Sequence, residues 1–342
     1  VYIVLIALIV VVSLTTENFL SADTFRGNLT QLIPVVVTGS AVTLLMVAGY
    51  LDLSVGGVMA LSGIVAAWLS VNQVNTGVAI VIGVLTGALL GLLNGLLVVK
   101  LGVNAVIATL GTGLYLALGA ANLVAQHYGG TVSGTMRDFR SLGTGYFGAI
   151  PIAILVMVVF VGACVFLEKL TLVGKYAVAM GSNFQGAKLA GVPVETQRIL
   201  LFTLAGLASG LAGAMTASRL GVGVPSIGDG MEFSVIVAAV LGGVSLAGGR
   251  GRVLATVAGA AILTIIRSAL NMHGVNTFWQ LIITGCLLIA MVALDVFLRG
   301  GADRPQWMQF VKRPGRAEAA GVDPAQPAAR HHDDANAVEE TK

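Results

Sequence analysis

Asp52 lies in the stretch GYLDLSVGGVMALSGIVAAWL, between two long apolar runs and just ahead of Gly56 and Gly57. A carboxylate in such surroundings is costly unless it is paired, hydrogen-bonded or faces water. Just before a helix it can accept bonds from free backbone N–H groups and meet the positive helix end. Capping and positioning are therefore the roles expected for Asp52, with Ser54 opening the next helix, and proton carriage is not. Asn94, Thr109, Thr112, Asn122, Asn271 and Thr284 are embedded in apolar runs, and Asn104 opens one. Polar groups in such places tend to face bundle interiors or water. Asp52, Ser54, Asn94, Asn104, Thr109, Thr112 and Asn271 are the candidates for lining a hydrated path. Arg267 lies close to the outer end of its run, where snorkelling is expected to lower its cost.

Catalytic chemistry finds no constellation here. The chain contains no H-E-x-x-H, no G-x-S-x-G and no G-x-x-x-x-G-K-[ST]. VGKY at 173–176 has a Gly-Lys pair without the upstream glycine or the following hydroxyl, and SLAGGRG at 245–251 reads as a short turn. Cys164 and Cys286 both sit in apolar runs, so neither a disulfide framework nor a zinc site is indicated. His331 and His332 read as part of a solvated tail. The expectation is a chain that is no enzyme and holds no metal or cofactor. Any ATP and Mg would be bound by another subunit.

Hydrophobic residues make up 56% of the chain and charged residues 10%, too few polar groups to cover a soluble domain. Lipid is the natural solvent, and nothing in the charge points to nucleic acid. Apolar runs long enough to cross a bilayer cover approximately 1–14, 29–49, 54–71, 76–99, 104–125, 149–167, 197–219, 231–247, 252–272 and 278–298. The fold expected is an all-α polytopic membrane protein with about ten transmembrane helices in a domain spanning 1–298. The first run is short and the chain opens on Val1, so a truncated first span is expected. Lys100, Lys169, Lys175, Lys188, Arg198, Arg250, Arg252 and Arg299 fall on one side of this arrangement. The positive-inside rule makes that side, with both termini, cytoplasmic. Residues 299–342, rich in Pro, Ala and charge, are expected to form a disordered cytoplasmic tail.

Two connections are long: an outer, Gly- and Ser-rich one at about 126–148 and an inner, charged one at about 168–196. KLGVNAVIATLGT at 100–112 resembles MHGVNTFWQLIITG at 272–285, each following a run with an embedded asparagine (Asn94, Asn271). The first GVN falls inside and the second outside, which an inverted repeat of five-span halves would produce. Gly83, Gly87, Gly91 and Gly95 recur four apart and form one ridge on a helix; Gly206, Gly210 and Ala214 form another. Such ridges let helix backbones approach closely in lipid.

Several stretches together resemble one family, the permease subunits of bacterial ABC importers for ribose and related sugars. They are YLDLSVGGVMALSG, NGLLVVKLGVNAVIATLGT, GKYAVAMGSNFQGAKLAGVPVETQRI and GDGMEFSVIVAAVLGGVSLAGGRG, and the likeness runs in order from about residue 29 to 298. The resemblance implies translocation of a monosaccharide, ribose-like or a related sugar or polyol, across the inner membrane. It implies a homodimer or a pseudo-dimer with a second permease, on cytoplasmic ABC ATPases, fed by a periplasmic or lipid-anchored sugar-binding protein. It further implies a cytoplasmic coupling helix at 182–191, made by Ser182, Asn183, Phe184, Gln185, Ala187, Lys188, Leu189, Ala190 and Gly191. Phe184, the one aromatic of that stretch, would be its anchor in the ATPase. Phe184-Gln185-Gly186 departs from the acidic residues usual in the family after the asparagine, which points to a dedicated ATPase. The alternative reading is a secondary transporter of a small polar solute driven by an ion gradient.

Overall fold

The computed structural model describes residues 1–148 and 150–298, and the tail expected at 299–342 lies outside the described residues. The helices are α1 (Tyr2–Thr15), α2 (Ala22–Val47), α3 (Val55–Val71), α4 (Thr76–Lys100) and α5 (Ala105–Leu110). A π-helical segment, Gly111–Ala117, continues α5 into α6 (Leu118–Gln126). There follow α7 (Ser141–Thr144), α8 (Ile152–Leu170), α9 (Leu172–Ser182), α10 (Phe184–Leu189), α11 (Val194–Leu220), α12 (Met231–Leu241), α13 (Val253–Met272) and α14 (Thr277–Leu298). Among the described residues the only strands are β1 (Tyr146–Phe147) and β2 (Ile150–Pro151), an antiparallel pair with Tyr146 opposite Pro151.

Six helical stretches are long and apolar enough to cross a membrane: Ala22–Val47, Thr76–Lys100, Ala105–Gln126, Ile152–Leu170, Val194–Leu220 and Val253–Met272. Tyr2–Thr15, Val55–Val71 and Thr277–Ala293 are shorter apolar helices. The protein is thus a helical, multi-pass membrane protein. Two expected runs have different bounds. The second starts at Ala22, because Ser21 caps the helix by accepting the Thr24 N–H at 3.2 Å. The eighth, expected over 231–247, is helical only over the 11 residues of α12. At ~1.5 Å per residue that is ~16 Å, about half of a ~30 Å hydrocarbon core. Hydropathy continues past Leu241, but Gly242 and Gly243 end the helix, with φ +86° at Gly243. The rest of that run folds into turns.

The glycine ridges pack on each other. Gly87 and Gly91 of α4 lie against Gly206 and Gly210 of α11 so closely that no side chain fits between them. A Cβ on Gly91 would stand 3.0 Å from the Gly206 Cα, and one on Gly206 would stand 2.7 Å from the Gly91 Cα. Gly95 meets Ile199 at the α11 start, whereas Gly83 meets Ala66 of α3. Lipid offers little hydrophobic drive between helices, so dispersion over such bare contacts carries the association. An ion pair, Lys100 Nζ to Glu195 Oε2 at 3.0 Å, ties the same two helices at one end.

The 126–148 connection is a packed cap. Val132 bridges Gly223, the Thr135 hydroxyl donates to the Gly221 carbonyl at 2.7 Å, and the Met136 N–H donates to Ser70 Oγ at 3.0 Å. Phe139 is fully buried beneath it. The two GVN stretches have the same local geometry. Gly102 and Gly274 adopt φ +67° and +71°. Asn104 Oδ1 accepts the Val106 N–H, and Asn276 Oδ1 accepts the Phe278 N–H, both at 2.9 Å.

The α4–α11 contact yields a direct test. Gly206→Val should separate the helices and cost ~1–3 kcal/mol or more, as overpacking does. The thermal transition of the detergent-solubilised protein should fall accordingly. Gly119→Ala, where a Cβ meets nothing within 4 Å, should leave that transition unchanged.

Candidate functional site

The corner between α2 and α3 collects most of the residues singled out in the sequence. Gly49, at φ +88°, turns the chain out of α2, and Tyr50-Leu51-Asp52-Leu53 lead into Ser54, the residue that starts α3. Asp52 is 1% exposed. Its Oδ1 accepts the Ser54 N–H at 2.8 Å and also the Ser54 hydroxyl. The expected cap is therefore displaced: Asp52 binds the N-cap residue, and no side chain caps the first turn of α3 itself. The two-residue reach of a short carboxylate closes a local turn before the helix begins.

From Ser54 the hydrogen bonds run in one direction. The Thr112 hydroxyl donates to Asn94 Oδ1, Asn94 Nδ2 donates to Ser54 Oγ at 2.9 Å, and the Ser54 hydroxyl donates to Asp52. Thr109 joins alongside, with its Oγ1 accepting the Leu53 N–H at 3.1 Å and donating to the Ala105 carbonyl at 2.8 Å. Asp52 Oδ2 is buried without a partner among the described residues. The chain of donors pins α4 and the π-helical segment to the corner. The close approach that permits this comes from Gly57 and Gly113: a Cβ on Gly113 would stand 2.9 Å from the Ser54 Cβ. The widened π turn places Thr112 opposite Asn94, a geometry frequent at functional sites.

Asn104 and Asn271 stand apart from this network. Asn104 caps α5 at the surface. Asn271 Oδ1 accepts from Gln280 Nε2 at 2.7 Å and joins α13 to α14. Arg267 does not snorkel: its Nη2 donates to Ser234 Oγ at 3.0 Å and Thr284 Oγ1 at 3.4 Å, inward between α12 and α14. Polar groups on those neighbours draw it away from the lipid.

On the other face of the corner lies α10. Asn183 caps it by accepting the Gly186 N–H at 2.8 Å, and Gly191 at φ +80° ends the turn that follows. Ser182, expected to help start it, ends α9 instead. Phe184, expected as a free anchor, faces the permease body. The Arg198 guanidinium stacks on its ring at 4.6 Å and on the Tyr50 ring at 5.3 Å. Tyr50 in turn meets Phe202 edge-on at 6.1 Å. Burial holds the Tyr50 hydroxyl above its ordinary pKa, against the opposing pull of Arg198. Ala187 is buried and Phe184 half-buried, while Ser182, Gln185, Lys188 and Ala190 are exposed and Leu189 projects with 89% of its surface free. An aromatic fits the pocket beside Arg198, so the apolar knob left outside is Leu189. Sequence reasoning missed the Tyr50–Arg198–Phe184 stack, because Arg198 counted there only as one of the inner charges. The glycines of SLAGGRG are explained by packing: a Cβ on Gly248 would stand 2.9 Å from the Gly49 Cα and 3.0 Å from the Gly181 Cα.

Residues 25–292 match the family model described as branched-chain amino acid transport system / permease component. The chain is 36% identical over 297 residues to the ribose import permease protein RbsC of Bacillus subtilis, covering 85% of this chain and 90% of that protein. It is 34% identical over 299 residues to the Escherichia coli K12 protein of the same name, covering 86% and 92%. It is 36% identical over 299 residues to the L-arabinose ABC transporter permease protein AraH of Azospirillum brasilense, covering 86% of each. No solved structure matches the chain. With the match spanning nearly every described helix, the chain belongs to the family of branched-chain amino acid transport system permease components.

Proposed function

We propose that this chain is the transmembrane permease subunit of an ATP-driven ABC importer that carries a monosaccharide, ribose-like or a related sugar or polyol, across the bacterial inner membrane. The observation that carries the reading is the end-to-end likeness to relatives named as ribose and L-arabinose permeases. ATP and Mg belong to a separate cytoplasmic ABC ATPase, and a sugar-binding protein delivers the solute from outside. The permease works as a homodimer or with a second permease as a pseudo-dimer. About ten membrane-crossing segments in two inverted five-span halves bring both termini to the cytoplasm, and the matching GVN corners support the repeat.

In this reading Ser182–Gly191 is the coupling element. Asn183 and Gly191 set its limits, Phe184 and Ala187 hold it to the permease, and Leu189 with Gln185 and Lys188 meets the ATPase. Motion of α10 would pass through Phe184, Arg198 and Tyr50 to the Asp52 corner. There Ser54, Asn94, Thr109 and Thr112 stiffen the wall of the path.

Reconstituted with a partner ABC ATPase and a sugar-binding protein, the chain should accumulate D-ribose, L-arabinose or D-allose, the sugars named for its relatives, in proteoliposomes in an ATP-dependent manner. ATP turnover by the chain alone, or sugar uptake driven by an ion gradient without the ATPase, would refute this reading.

Leu189→Asp should release the ATPase during purification and abolish uptake while membrane insertion persists, since it would bury an unpaired carboxylate in the interface. Retained ATPase in that variant would remove α10 from the interface.

Sidedness can be checked with Ser133→Cys and Ser182→Cys in a background carrying Cys164→Ser and Cys286→Ser. An impermeant thiol reagent applied to intact cells should label the first and spare the second. The reverse pattern would invert the topology.

A further inference from the structure

A cavity of about 520 Å³ lies between α2, α12, α13 and α14, away from the Asp52 corner. Its size falls in the range of about 300–1,000 Å³ typical of small-molecule sites. It sits beside the start of the short helix α12, with Asp229 and Gly230 of the turn before that helix in its lining. Arg267 lines one wall, oriented by Ser234 and Thr284. Both of those bonds use Nη2, and among the described residues no acceptor engages its other donors. Asp229 lines the same cavity without forming an ion pair with Arg267. Gln31 adds an amide, and Phe233 adds a ring that is 47% exposed.

A guanidinium only donates hydrogen bonds and an ionised carboxylate only accepts them. Held apart in one cavity, the two are best satisfied by an occupant that both accepts and donates. A net anion meets repulsion from Asp229 and a net cation from Arg267, so the pair favours an occupant without net charge, and the hydroxyls of a polyol can donate to the one and accept from the other. The apolar face of a sugar ring suits Phe233. The α12 half-helix also begins here, as the N-termini of broken helices do beside solute sites in other transporters.

We propose that this cavity is a binding station for a neutral polyhydroxylated solute, a monosaccharide or polyol, held between Arg267 and Asp229 with its ring against Phe233. The inference deepens the transport function proposed above and rests on it.

The test uses the full chain with its partner ATPase in nanodiscs, carrying Cys164→Ser, Cys286→Ser and Gly285→Cys. Gly285 lines the cavity, and a Cβ there meets nothing within 4 Å. D-ribose, L-arabinose or D-allose should slow maleimide labelling of this cysteine, and Asp229→Asn or Phe233→Ala should remove the protection. In the complete importer the same two substitutions should raise the half-saturation concentration for uptake by about fivefold or more, the effect of losing one hydrogen bond or ring contact. Co-purification of the ATPase identifies folded variants, and Phe233→Tyr should restore protection. Labelling that no sugar alters would overturn the station even if uptake proceeds. Labelling blocked by phosphatidylglycerol alone would overturn it in favour of a lipid groove. Protection without uptake by the wild-type importer would uphold the station and refute the transport reading.

Discussion

The bare backbone contact between α4 and α11 is the constraint on which the rest of this protein depends. Water drives apolar helices together in soluble proteins, but lipid tails solvate leucine as well as another helix does. Cohesion must come from close approach, and Gly87, Gly91, Gly206 and Gly210 provide it by having no side chain. The same device repeats around this pair. Gly213 of α11 lies against Met59 of α3, Gly57 of α3 lies against Gly113 of the π-helical segment, and Gly259 of α13 lies against Ala238 of α12. Each contact leaves little freedom in depth or rotation, so polar side chains on neighbouring helices meet in register.

That register makes the buried polar network affordable. Asn94 is fully buried, and its amide both donates to Ser54 and accepts from Thr112. A buried amide left half-satisfied would cost ~1–3 kcal/mol, so a slip of one residue between α4 and the π-helical segment would be penalised twice. The network also explains the π turn, since α-helical winding would carry Thr112 away from Asn94. On the opposite side of the corner, Arg198 lies between the rings of Tyr50 and Phe184. A single residue, Leu51, separates Tyr50 from Asp52, so a shift of α10 has a short, packed route into the bundle.

Much of the helical layout was legible because hydropathy and glycine spacing are local signals. The runs around α3, α4, α11 and α13 matched their helices closely, and both glycine ridges were visible in sequence. Hydropathy failed at α12, where the apolar run outlasts the helix: a Gly-Gly pair can end a helix without adding any polarity. The candidate site was legible in composition only. Asp52, Ser54, Asn94, Thr109 and Thr112 stand out as polar residues among apolar ones, yet nothing in their spacing says that they bond to one another. Phe184 read as an exposed anchor because sequence does not reveal the Arg198 guanidinium that covers it.

The sequence by itself determined the solvent, the helical class, the family and the two small-residue ridges, because each follows from residue type and period along one chain. Tertiary structure decided which ridge meets which, that Arg267 turns inward to Ser234 and Thr284, and that Asp229 and Arg267 share a cavity without pairing. The same held for the exposed end of α10, where Leu189 projects in place of Phe184. The physical reason is common to all of these. Burial and hydrogen-bond direction depend on residues far apart in sequence, and only close packing of the helices brings those residues within reach.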